Sequence, residues 1–350
     1  MNKKSSEYWR KRFEYLEKQR YKKNKLTTDE IEKLFNRSQK SIEEQLLLWY
    51  SRFAENNNIS IDEAKRLLKG KELEEFKWSV EEYIKYAREN ELNQQWQKKL
   101  ENASARVHIS RLESLKIEMQ HEIEALYGKT LTITTEHLNE IYKDTVYKGM
   151  YELQKGTGAF FNIAAVNQKQ IEVAVYKSWT ADNTTFSEKI WSNRQKLIYD
   201  VQSQLIRNIQ TGAACNNSID FIAKKYKTAK YNAGRLIMSE SARVAAEADK
   251  ANYNDFGIEK VQIDETLDSE TCKECRDIDQ TTVALSDYIP GVTVPPFHPW
   301  CRGTTTPYFD DDIQKKIDER VGRASRNPEN NKYKRVENID DNEWEEKYVK

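Results

Sequence analysis

Gly257-Ile258-Glu259-Lys260-Val261-Gln262-Ile263-Asp264 is the stretch where the chain changes its period. From Lys260 to Asp264 apolar and polar residues alternate, the pattern of a half-buried strand. Before Gly257 the apolar residues recur at helical spacing. All six prolines (Pro290, Pro295, Pro296, Pro299, Pro307 and Pro328) lie after residue 289, so the preceding chain has no helix breaker of that kind. The expected fold is therefore mainly α. An elongated multi-helix N-terminal and central region leads into a small α+β C-terminal module and a charged tail. The expected divisions are 1–130, a helical region; 131–257, a central helical domain; 258–310, a strand and loop module; and 311–350, a tail, partly disordered, with a helix near 313–322.

Working outward, helix ends are legible. Thr28-Asp29-Glu30-Ile31 has an N-cap residue followed by acidic residues. Ile31, Leu34, Phe35, Ile42, Leu46, Trp49 and Phe53 follow on one face, and Asn56-Asn57-Asn58 ends that run. Ser60 and Glu63 make a capping-box pattern ahead of a short helix that Gly70 stops. Residues 71–127 continue helical, with Gly128 as a stop and Thr135 as a new start. Gly156-Thr157-Gly158 marks a break. Residues 166–177, 186–210, 218–226 and 228–255 are further helices, and Gly212 and Gly257 stand just beyond two of their ends. Thr282-Val283-Ala284-Leu285 and Thr304-Thr305-Thr306 are short strand candidates.

Composition bounds the function. The 350 residues include 57 basic and 57 acidic side chains, and the mean hydropathy is −0.90. No stretch approaches the 18 or so apolar residues of a membrane span, and the N-terminus has no secretory apolar core. Length fits one large domain or two to three smaller ones. With 19 Tyr, 11 Phe and 8 Trp, the chain is too aromatic to be disordered. Heavy charge with many aromatics fits exposed amphipathic helices over a modest core better than a compact enzyme.

The strongest chemistry is Cys272-Lys273-Glu274-Cys275, then 22 residues, then His298-Pro299-Trp300-Cys301. Each half offers two soft ligands three positions apart, a spacing at which one tight turn aims both at one point. Brought together, Cys272, Cys275, His298 and Cys301 would form a Cys3His cage suited to structural Zn²⁺, with no position left for water. A Cys272–Cys275 redox pair, a Cys/His nucleophile and plain reduced thiols packed by Pro295, Pro296, Phe297 and Trp300 are the alternatives. A hydrolase built on Cys272 or His298 would lack a third orienting group, paired carboxylates and a phosphate loop. Cys215 is expected to be a small buried residue; His108, His121 and His137 are expected at surface or packing positions.

Residues 1–25 carry ten Lys/Arg and three Glu, a local charge of +7. Trp9, Arg10, Lys11, Arg12, Arg20, Lys22 and Lys23 are candidate contacts to nucleic acid or an acidic partner. Alternatively, this helix docks its aromatic side onto a neighbour.

Four stretches in order resemble a known family: Arg235-Leu236-Ile237-Met238-Ser239-Glu240, Gly257-Ile258-Glu259-Lys260, Asp268 with Thr271-Cys272-Lys273-Glu274-Cys275, and Pro296-Phe297-His298-Pro299-Trp300-Cys301-Arg302. They are similar to the tailed-phage head-morphogenesis or minor capsid proteins of the phage Mu protein F type, over about residues 140–310. Many members read Cys-Arg-Cys at the close, where this chain has Cys301-Arg302-Gly303. The resemblance implies a non-enzymatic virion component of the head interior or portal vertex, made in the host cytoplasm. It would meet portal or capsid proteins and packaged DNA, with no membrane and no small-molecule substrate. Arg235, Glu240, Asp268 and Arg302 are candidates for structural pairing, either across helix turns or against the zinc module. As ordinary helix-surface charges they would do neither.

Overall fold

The computed structural model describes residues 6–56, 85, 88, 89, 111–159, 166–211, 215–266, 271–309, 323–326 and 333–336. Its helices are α1 (Ser6–Asn56), α2 (Arg111–Thr157), α3 (Gln168–Val175), α4 (Phe186–Thr211), α5 (Cys215–Phe256) and α6 (Lys273–Ile278). Its strands are β1 (Lys260–Asp264), β2 (Thr282–Ala284), β3 (Thr304–Tyr308), β4 (Arg323–Arg326) and β5 (Tyr333–Val336). The fold is mainly helical with a small antiparallel sheet near the C-terminus, as the period change at Gly257 indicated. The capping box at Ser60, the helices between 57 and 110, His108, Asp268, the helix near 313–322 and the side chain of Cys215 lie outside the described residues. Within the segment expected to be a tail, β4 and β5 pair antiparallel, from Arg323 opposite Val336 to Arg326 opposite Tyr333.

Expected boundaries are absent at three places. Thr28 lies inside α1, Gly128 and Thr135 lie inside α2, and the helices expected at 218–226 and 228–255 are one helix, α5. Cap-type residues permit a helix end without requiring one. In α2 the hydroxyls of Thr130, Thr132 and Thr135 donate to the carbonyls of Leu126, Gly128 and Leu131. Their polar groups are thus satisfied without breaking the helix. The loss of about 1 kcal/mol for Gly128 in a helix is outweighed by burial of Leu126, Tyr127, Leu138 and Ile141 on either side.

Where glycine does end a helix, the geometry is explicit. Gly257 has φ +78°. Its N–H donates to the Asn254 carbonyl, and that of Ile258 donates to the Tyr253 carbonyl. This is the Schellman closure, which needs a residue that tolerates the left-handed region. It turns the chain from α5 into β1.

The chain folds into two compact units, each assembled from separated segments rather than from the consecutive stretches expected above. The first comprises 1–25, 137–183 and 238–350, and the second 26–136 and 184–237. In the first, β1 is the central strand in the order β2-β1-β3. Val261 and Ile263 are buried on it, and Val261 joins a core of Trp9, Phe13, Met150, Leu153, Tyr253, Phe256, Leu285, Tyr288 and Phe309. Trp9 packs on Phe309 with ring centroids 5.0 Å apart, and the absence of a side chain at Gly156 makes room for the indole. In the second unit, Phe35 meets Tyr127 and Tyr226 edge-on at 5.6 and 6.3 Å. Ser38 and Tyr226 share a hydrogen bond of 2.9 Å. A buried Arg194–Glu124 pair at 2.8 Å crosses that core. Ile31, Phe35, Ile42, Leu46 and Trp49, placed on one face by periodicity, are all buried.

Candidate metal centre

Two turns and one strand end build the site. Cys272 has an extended backbone and caps α6, where its Sγ accepts the Cys275 N–H at 3.4 Å. Cys275 follows one turn later and is buried. The second turn is closed by the Cys301 N–H donating to the His298 carbonyl at 3.1 Å. Pro299 stands at its second position and Trp300 has φ +65° at its third. Those are the features of a type II turn, which brings its first and last residues together.

The Nε2 of His298 lies 3.3 Å from the Cys272 sulfur and 3.2 Å from the Cys275 sulfur. Its Nδ1 lies 2.8 Å from the Pro299 carbonyl oxygen. A carbonyl only accepts, so Nδ1 carries the hydrogen and Nε2 presents its lone pair to the sulfurs. Metal-ligating histidines are oriented by this kind of outer hydrogen bond.

The four side chains read from the sequence form two overlapping groups. Cys272, Cys275 and His298 make one; Cys275, Cys301 and Glu265 make the other, with the ligand atoms of each within 4.8 Å of one another. Glu265 is the member that the motif reading missed. Its signal was its place one residue beyond β1. Asp264 pairs with Thr304 across the β1–β3 ladder, so continuing that register sets Glu265 opposite Gly303. Desolvation raises the Glu265 carboxyl to about 7, against a hydrogen bond from Cys275 that lowers it. Burial raises the Cys275 and Cys301 thiols as well. Thiols and a carboxyl whose charged forms are disfavoured by burial become strong anionic ligands once a cation is present. The donor set of thiolates, one imidazole and a carboxylate could hold a divalent ion of borderline softness such as Zn²⁺.

Residues 199–306 match the family model described as phage Mu protein F like protein. This Mu F-like segment runs from α4 through α5 and the β1–β3 sheet, and it contains Cys272, Cys275, His298 and Cys301. The match is consistent with a phage head-morphogenesis family and a phage head-related protein. It begins at 199, whereas the motif resemblance reached back to about 140. No curated protein and no solved structure matches the chain. Among the described residues no helix is long and apolar enough to cross a membrane.

The remaining candidates fall elsewhere. Trp9 is 2% exposed and cannot present its ring to a partner. Arg10 pairs with Asp264 at 2.7 Å, Arg12 with Glu152, Arg20 with Asp249 at 2.9 Å and Lys23 with Glu140 at 2.8 Å. Lys11 meets Glu7 on the surface, and Lys22 is exposed. Of the two readings of this helix, the docked aromatic side is the one its contacts describe.

Positions five apart on a helix point well away from each other, whereas positions three apart adjoin. Glu240 accordingly takes Arg243 at 3.0 Å and the Trp179 indole N–H at 3.0 Å, while Arg235 is exposed. Arg243 is wholly buried and donates to the Ala174 and Val175 carbonyls at the end of α3. The Arg302 carbonyl accepts from Thr266 Oγ1 at 3.2 Å.

Proposed function

We propose that this protein is a non-enzymatic minor head protein of a tailed phage. It docks on portal or capsid protein during head assembly, is carried in the virion, and has a C-terminal module stapled by structural Zn²⁺. The observation that carries the reading is the Mu F-like match over 199–306, whose part from Lys260 onward folds into the sheet and the two cysteine turns. Cys272, Cys275, His298 and Cys301 would hold the ion. When bound, the metal supplies a cross-link between the two turns, in a module whose few aliphatic residues leave it little core of its own. His298 is oriented by the Pro299 carbonyl, and the cap geometry fixes Cys272.

Co-sedimentation of the purified chain with procapsids and capture by isolated portal protein test the reading. Binding to either supports it, and binding to neither overturns it. The competing reading, a zinc-containing nucleic-acid-binding protein outside virions, needs the basic N-terminal stretch free to reach phosphates. The pairing of Arg10, Arg12, Arg20 and Lys23 with carboxylates weighs against it. Contact with packaged DNA would then have to come from other surfaces. Steeply salt-dependent DNA binding that disappears on deletion of residues 1–25 would restore that reading.

A further inference from the structure

Glu265 is the acidic side chain of this site that the cysteine–histidine spacing does not contain. It is 4% exposed. Its Oε1 receives no N–H or O–H donor, although a buried carboxylate is costly without one. A carboxylate oxygen of this residue lies within 4.8 Å of both the Cys275 and Cys301 sulfurs. Room for it is made by Gly303, where a Cβ would stand 2.2 Å from Oε1 and 2.5 Å from Cδ. Continuing the β1–β3 register sets the two positions opposite each other.

The grouping of the sulfurs adds a second argument. An ion bonded to both Cys275 and Cys301 lies within the group whose third corner is the Glu265 oxygen. Cys272 and His298 approach the shared Cys275 sulfur from their own group. Resting on the reading that the cluster holds a divalent ion, we propose that Glu265 bonds that ion through a carboxylate oxygen. The site then has a mixed thiolate, imidazole and carboxylate donor set in place of Cys3His. The Arg302 guanidinium offsets part of the added negative charge at Glu265. Zn²⁺ accepts sulfur, nitrogen and oxygen donors.

X-ray absorption at the zinc edge of the full-length Zn²⁺-loaded chain counts sulfur and light donors directly. The expected count for the unaltered protein is two light donors, the His298 nitrogen and the Glu265 oxygen. Glu265→Ala should lose one of them, lower Zn²⁺ affinity at least tenfold in chelator competition, and shift the visible bands of the Co²⁺-loaded protein. Gly303→Ala, which pushes the carboxylate aside with Glu265 intact, should do the same. Affinity alone would not decide, since residues that merely support a ligand also cost 10–100-fold. One light donor in the unaltered protein, or an unchanged spectrum in Glu265→Ala, overturns the role of Glu265 while leaving the zinc reading standing. An unaltered protein that binds no Zn²⁺ overturns the zinc reading itself. Should both variants fail to fold, the donor count of the unaltered chain still decides.

Discussion

Arg20 and Asp249 meet at 2.9 Å with their side chains 10% and 3% exposed. Glu17 joins the same guanidinium, and Thr304 Oγ1 accepts from its other amine. Desolvation raises both carboxyls, and the Arg20 charge opposes that rise. A buried pair of this kind adds little net stability, but breaking it on one side strands a charge. Arg20→Leu should therefore destabilise the protein by about 3–5 kcal/mol in urea unfolding. A companion change at Asp249 to Leu should recover a large part of that loss. Equal loss in single and double variants would show that the pair is not the cause.

Arg243 and Glu240 form the second such arrangement, with all principal donors satisfied by Glu240 and two α3 carbonyls. Arg243→Met leaves the Glu240 carboxylate and two helix-end carbonyls short of donors, and about 3–5 kcal/mol should be lost. Trp179→Phe removes only one hydrogen bond to Glu240 and should cost about 1–3 kcal/mol, part of it lost ring area. Chemical denaturation of the two variants side by side checks the order.

Two glycines of α2 should respond in opposite directions to the same substitution. Gly156→Ala places a methyl 2.2 Å from the Trp9 ring, and overpacking of this kind costs about 1–3 kcal/mol. Gly128→Ala, at a partly exposed mid-helix position, should gain about 0.5–1 kcal/mol from helix propensity. Thermal melts read both signs, and near-UV circular dichroism should report the displaced indole only in the first.

Acid should act through two buried histidines. Desolvation lowers His121 and His137 to about 4, and His137 Nε2 lies 2.9 Å from Asn24 Oδ1. The unfolded chain protonates these rings near their ordinary value, so between about 6.5 and about 4 it binds more protons than the native state. Stability then falls as pH falls through that window, by on the order of 3 kcal/mol for each ring. Asp264, raised to about 7 chiefly by desolvation against its Arg10 partner, acts with the opposite sign over part of the range. Urea midpoints against pH for the native chain and for His121→Gln with His137→Gln isolate the histidine term; parallel curves would remove it.

Metal removal should be felt locally. Stripping Zn²⁺ with a chelator, or Cys275→Ser, should expose the 258–309 module to protease while far-UV helicity, dominated by α1, α2 and α5, changes little. Limited proteolysis with and without added Zn²⁺ reads this outcome. Protection identical in both conditions would contradict a metal staple.

The sequence alone determined that helices precede Gly257 and that a short-strand module follows, because hydrophobic period and glycine chemistry are local properties. It also determined which residues of α1 face inward at Ile31, Phe35 and Ile42, and that two pairs of soft ligands sit in turns. The tertiary structure decided what meets across the chain. Nothing local distinguishes a basic residue aimed at a phosphate from Arg20 aimed at Asp249, which lies 229 residues away. Thr28 and Gly128 carry end signals that packing on both sides overrides. Glu265 joins the cysteine turns only because the β1–β3 register brings it to Gly303, and strand pairing is set by burial over the whole sheet, a non-local quantity that no spacing of cysteines encodes.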